Sequence, residues 1–333
     1  MKRALRVMIV FTIMCALLLG LTTFAGGAKE DLLGSGITIY MQMGGTAGDP
    51  STLPRTNGAR AAAAHLGVNL VEQYSAWQSE KMISQFKEAL AASPDGIVIM
   101  GHPGEGAFEP LVEEAIGRGI IVTSGNNPLP NLQAKYSDKG FGYAGVDLWA
   151  GGYLTGQAMI KQGLKAGDKA LVYGLFSQAG RSRSPQGIVD ALEEEGLTVE
   201  KLDISPEVDT EASLVIPILT AYLERNPDVK AIGTQHGNVT ANMMKVLQAA
   251  GKKPGEVIVG GIDLSPATIE GIEKAYVSAS LDQMLYLQGF LPVLQIVLTK
   301  RYNVPGLSIN TGAGAATPQN IGELKTLIEK GVR

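Results

Sequence analysis

The chain has 333 residues, room for two domains of roughly 100–200 residues each, and its 45% hydrophobic and 18% charged content suits packed cores. Its net charge of −4 carries no long block of like charge and no basic stripe, which argues against a nucleic-acid partner. The single cysteine, Cys15, lies in an N-terminal apolar run, so the remainder has no disulfide framework, thiolate metal site or cysteine nucleophile.

Lys2, Arg3 and Arg6 precede an uncharged run, VMIVFTIMCALLLGLTTFAGGA, that ends in small residues before Lys29. A basic start, an apolar middle and a small-residue end predict a secretory signal peptide over residues 1–25, cleaved after Ala25. An apolar run of about 20 residues can also remain as a membrane anchor. The small residues at its end, in place of a basic stop, favour cleavage. Met14 before Cys15 is not the small residue that a lipid-anchored cysteine usually follows.

From about Gly36 strand-like and helix-like segments alternate. ITIYMQM reads as a strand, LPRTNGARAAAAHLG as a helix and NLVEQYS as a strand. SEKMISQFKEALAAS places Met82, Ile83, Phe86 and Leu90 on one helical stripe, with Ser79 as its expected N-cap. GIVIM, FEPLVEEAIGRG and IIVTS continue the pattern, and a loop rich in Asn, Pro and Gly is expected from Gly125 to Gly142. The alternation restarts with LWAGGYLTGQAMIKQGL and runs through KALVYGL, SPQGIVDALEEEG, TVEKLDI, TEASLVIPILTAYLERN, VKAIGTQ, NVTANMMKVLQAAG, EVIVGGID, SPATIEGIEKA and VSASLDQ. Short strands alternating with helices predict an α/β fold of two doubly wound, Rossmann-like parallel-sheet domains. The last long helix, MLYLQGFLPVLQIVL, is apolar nearly all round; it is either buried or returns to complete the first domain.

One device occurs twice. SPDGIVIMGHPG at residues 93–104 and NPDVKAIGTQHG at 226–237 each run from Pro-Asp, through an apolar stretch, to a histidine among glycines. Each proline ends a helix and each apolar stretch is a buried strand. His102 and His236 therefore fall at the carboxyl ends of strands, where ligands of open α/β sheets bind. Two copies predict two polar rims facing each other, although Pro-Asp is also ordinary turn chemistry and such histidines are often structural.

With these segments, the chain resembles the ribose/galactose-type periplasmic sugar-binding proteins, the soluble receptors of ABC transporters, from about Ile37 to Asn320. The resemblance rests on the order and spacing of NGARAAAAHLGVNLV, QFKEALAASPDGIVI, AIGRGIIVTSGN, GYAGVDLWAGGYL, AYLERNPDVKAI, VGGIDLSPATIEGI and ASLDQMLYLQGF. It implies the type I periplasmic-binding architecture, two lobes joined by a three-strand hinge with the ligand between them. Lobe segments of 36–143 with 284–309, and 144–283 with 310–333, are expected, with crossings near Gly142–Ala144, Asp282–Gln283 and Asn310–Thr311.

The resemblance also implies ligand positions. The family's Asn-Pro-aromatic-aromatic loop corresponds to Asp49, Pro50, Ser51 and Thr52, which lack both aromatics; Trp77 either supplies an aromatic face instead or packs under the loop. The family's Asp-Arg pair becomes Asn126 and Asn127, and its ligand arginine corresponds to Arg181 or Arg183. Its Asn-Asp becomes His236–Gly237, while its aspartate and hinge glutamine remain as Asp263 and Gln283. Asp263 has a competing role as N-cap of the helix at SPATIEGI.

This set of donors and acceptors suits a neutral monosaccharide or small polyol, and the resemblance implies its delivery to a membrane permease. A chemotaxis or furanosyl-signal receptor of the same fold is the alternative. An enzyme is disfavoured, since no phosphate-binding loop, nucleophile elbow or metal-spaced histidine pair is present. A sugar-responsive transcription regulator would begin with a helix-turn-helix, where this chain has its apolar segment. The expectation is a monomeric extracytoplasmic binding protein with no cofactor and no metal.

Overall fold

The computed structural model describes residues 31–333, except 50, 179–180, 206–207, 209–210 and 313. The expected signal peptide lies outside the described residues.

The first half alternates β1 (Thr38–Gly44), α1 (Leu53–Leu66), β2 (Asn69–Tyr74), α2 (Ser79–Ala92), β3 (Gly96–Ile99), α3 (Glu105–Gly117), β4 (Ile121–Asn126), α4 (Pro130–Tyr136) and β5 (Tyr143–Gly145). The second half repeats the pattern with α5 (Leu148–Ile160), β6 (Lys169–Gly174), α6 (Arg183–Glu194), β7 (Thr198–Asp203), α7 (Val215–Arg225), β8 (Val229–Thr234), α8 (Gly237–Ala249), β9 (Ile258–Ile262), α9 (Pro266–Glu273) and β10 (Ala279–Asp282). The chain ends with α10 (Leu285–Tyr302), β11 (Ser308–Asn310), β12 (Gly314–Ala316) and α11 (Ile321–Glu329).

Two six-stranded sheets result, ordered β2-β1-β3-β4-β5-β11 and β7-β6-β8-β9-β10-β12. All pairings are parallel except that of β10 with β12. The two orders are the same pattern written twice, which is the structural basis of the repeated Pro-Asp-strand-His device. The chain passes between the sheets three times, after β5, after β10 and after β11.

Each sheet buries both faces, so its central strands are apolar on both sides. On β3, Ile97 and Ile99 face Phe86 and Phe108, while Val98 faces Val293 and Ile296 of α10. In the second sheet Leu171 and Tyr173 pack toward α7 and α8, and Ala170 and Val172 toward α5 and α6. The apolar helix α10 thus returns to the first sheet. There it meets α1 through glycines: a Cβ on Gly58 would fall on the Tyr286 carbonyl, and one on Gly289 on the Arg55 carbonyl. The pair α5–α6 makes the same close approach through Gly152 and Gly187.

Two local expectations are corrected. Ser79 is the first residue of α2 rather than its cap; Gln78 holds the cap position in extended conformation. The segment from Gly125 to Gly142 is not all loop, because Pro130 starts α4 and Leu132 buries itself in the core.

Candidate functional site

The carboxyl ends of strands from both sheets converge on a cavity of about 440 Å³. The first half contributes Thr46, Asp49, Ser51, Arg55, Ala76, Trp77, Gln78, His102 and Asn126. The second contributes Arg181, Gln235, His236, Gly237, Asn238, Ile262 and Asp263, and the segment after β10 adds Gln283 and Leu285. His102 and His236, the ends of the repeated device, therefore line one space.

Trp77 has φ of 60°, a turn that sends its indole over Gly44 and Gly45, where a side chain would collide with the ring. The His102 ring lies 5.3 Å from the indole at 55°, and the Arg55 guanidinium 5.7 Å from its centroid. Trp77 both packs under the first loop and lines the cavity. The Nδ1–H of His102 donates to the Met100 carbonyl at 3.0 Å. Across the cavity an Arg181 Nη2–H donates to Nε2 of His236.

Asp263 (φ 69°) leaves strand β9 and accepts from Nε2 of Gln283 at 2.7 Å. Its competing role falls to Ser265, which caps α9 by accepting from Thr268 N. Burial pushes the Asp263 carboxyl up to about 6, against the Gln283 hydrogen bond and the Arg55 charge, which pull it down. Asn126 (φ 63°) ends β4, and its Nδ2 donates to Gln288 Oε1 at 3.0 Å.

Three of the expected site residues are placed differently. Asn127 is absent from the lining and donates instead to the Gly101 carbonyl at 3.0 Å, since the positive φ at Asn126 turns the next residue away. Arg183 starts α6, with its side chain exposed and 4.0 Å from Asp147, so Arg181 is the arginine in the lining. Asp49 lines the cavity, but its carboxylate closes its own loop. One oxygen accepts from Ser51 N, Ser51 Oγ and Thr52 N, the other from Thr46 N and Thr52 Oγ1, at 2.8–3.0 Å.

The sequence reading missed three residues. Arg55 of α1 is 1% exposed, donating from Nη1 to the Met43 carbonyl at 2.8 Å and from Nη2 toward Gln288 Oε1 at 3.4 Å. Burial lowers its pKa to about 10, with Asp263 and Asp49 opposing the shift. Gln235 accepts from Leu175 N and donates to the Arg181 carbonyl, which holds that arginine's loop. Gln288 of α10, wholly buried, donates to the Gln283 carbonyl and Thr311 Oγ1 while accepting from Asn126. It ties a strand end of the first sheet to two of the three crossings. Among the described residues no cluster of three metal-ligating side chains occurs, and no helix is long and apolar enough to cross a membrane.

The cavity presents donors and acceptors from both sides with an indole edge, a chemistry suited to a polyhydroxylated ring. Residues 44–298 match the family described as periplasmic binding protein domain. A xylose/arabinose-binding protein of Sulfolobus acidocaldarius is 30% identical over 250 residues, 72% of this chain and 61% of that protein. This chain thus matches less than two thirds of that relative's length. A ribose import binding protein of Escherichia coli is 24% identical over 82% of this chain and 86% of its own. Among solved structures, a carbohydrate transporter protein from Acidothermus cellulolyticus in complex with myo-inositol superposes with a TM-score of 0.71 at 19% identity, covering 89% of this chain and 99% of that one. A solute-binding protein from Burkholderia graminis in complex with D-arabinose gives 0.72 at 20% identity, over 86% and 97%. At these identities the structures establish the shared fold.

Proposed function

Because this chain belongs to the periplasmic binding protein family, we propose that it is the extracytoplasmic receptor of an ABC importer, a monomer that binds a neutral monosaccharide or small polyol and presents it to a membrane permease. The observation that carries this reading is the polar cavity shared by the two halves, with His102 and Asn126 on one side and His236 and Asp263 on the other. Each sugar hydroxyl both donates and accepts. Asp263 accepts, Arg181 donates, and Asn126, Gln283 and the histidines serve either need. Hydrogen bonds to charged partners net about 1.5–3 kcal/mol and neutral ones about 0.5–1.5. Several of them exceed the roughly 8 kcal/mol of a micromolar complex.

The function is binding without bond-making. The lobes exchange chain near residues 145, 283 and 311 and rotate about those crossings. A sugar that touches both walls favours the closed arrangement by its differential affinity for it, and the permease reads the closed form.

The test is a thermal-shift screen of the mature chain against pentoses, hexoses, deoxysugars and polyols, followed by calorimetry of the best ligand. One sugar should raise the midpoint and bind at micromolar affinity or better, and Asp263→Ala should weaken it at least tenfold while the fold survives. A panel with no binder would refute the receptor reading. Unchanged affinity in Asp263→Ala would remove that residue from the site.

A further inference from the structure

Arg55 is unusual among the charged side chains of this protein. It is 1% exposed, yet it makes no ion pair among the described residues. A buried cation normally rests against a carboxylate that satisfies its fork. Here both carboxylates that act on Arg55 through space are engaged elsewhere. Asp49 closes its own loop, and Asp263 accepts from Gln283. The guanidinium is held by neutral groups, the Met43 carbonyl and Gln288 Oε1, with its plane near Trp77. Its Nε, itself buried, has no hydrogen-bond partner, and Arg55 is one of the residues that line the cavity. A buried donor left unmade is costly, and such atoms are rare in folded proteins.

We propose that Arg55 is a specificity-determining donor of the cleft, its Nε–H committed to one hydroxyl oxygen of the bound neutral ring. This rests on the sugar-receptor reading and deepens it by assigning a residue and a hydrogen bond. Arginine suits the role because its fork is planar and rigid. With Nη1 fixed on Met43 and the carbon chain of Arg55 rooted in α1, the Nε–H direction is set before the ligand arrives. An oxygen of the wrong configuration would leave the donor unpaired, and a site built to bond a hydroxyl rejects the analogue that lacks it.

The test is a set of affinity ratios. The parent sugar and each of its monodeoxy analogues are titrated into the unaltered protein, Arg55→Met and Arg55→Gln. In the unaltered protein, removing the hydroxyl that faces Arg55 should weaken binding at least tenfold. In both variants that one penalty should fall to near unity while those at the other positions persist. A merely structural arginine would move all the penalties together or none. A pattern identical in the unaltered and variant proteins overturns the assignment while leaving the receptor reading intact. Failure of the unaltered protein to bind any sugar overturns both. Should neither variant fold, NMR of the unaltered protein decides. The Arg55 Nε–H resonance should shift downfield with the parent sugar and not with the critical deoxy analogue; equal spectra with both refute the bond.

Discussion

Asp263 shows what the cleft asks of a single residue. Its folded carboxyl titrates near 6 against an ordinary 3.8, chiefly because burial disfavours the charged form. Between those two values the folded state binds a proton that the unfolded chain does not. The stability this group contributes is therefore present below about 3.8 and lost as pH rises through about 6. At neutral pH the ionised carboxylate is a burden to the empty protein and, in the proposed receptor, an acceptor for the sugar. Asp263→Asn should raise the ligand-free thermal midpoint at pH 7, by about 2–4 °C for each kcal/mol recovered in a domain of this size. It should also cost at least tenfold in sugar affinity, and sugar affinity of the unaltered protein should fall as pH drops below about 6. A lower midpoint in Asp263→Asn would mean that the charge stabilises the empty fold. The same scale explains which of the expected residues line the cavity. Asn126 and Asn127 are adjacent in sequence and equal in chemistry, and only the positive φ at Asn126 separates a cavity residue from a loop brace. Arg181 and Arg183 differ in the same way, through where α6 begins.

At the scale of elements, the alternation of strands and helices was legible because buried parallel strands and amphipathic helices carry different apolar periods. The short pieces α4, β11 and β12 were not legible. Three-residue strands carry no period, and α4 begins in a Pro-rich stretch that reads as a turn. Arg55 was hidden for a related reason: an arginine within LPRTNGARAAAAHLG reads as solvated until α10 is seen to cover that helix. The cover is close because Gly289 lets the backbones meet at the Arg55 carbonyl. Gly289→Ala should therefore cost about 2 kcal/mol by overpacking and weaken sugar binding by displacing Arg55. Gly322→Ala on α11, where an added methyl meets open space, should be neutral or slightly stabilising. Urea denaturation of both variants checks the contrast, and equal effects would remove the role of the α1–α10 contact.

For the whole molecule, the resemblance carried the reading further than any local pattern, because two copies of one sheet order imply two facing walls. What it left unseen is the buried wiring. Gln288 bonds Asn126, the Gln283 carbonyl and Thr311, so a wall residue is linked to two of the crossings between the sheets. Closure predicts that saturating sugar reduces the radius of gyration measured by X-ray scattering. Gln288→Leu should blunt that change more than it lowers the midpoint of the empty protein. An unchanged radius on saturation would mean that binding occurs without lobe movement.

The three passages between the sheets also bear on how the protein is born. A ribosome releases β1 to β5 early, but the edge strand β11 and the covering helix α10 come only from residues 285–310. Until then one side of the nascent first sheet, with Val98 and Met41 upon it, has no α10 to shelter it. Neither lobe is a self-contained stretch of translated chain, so the earliest half must wait, sticky and unfinished, for the latest. That wait is the interval in which a chaperone has most to hold.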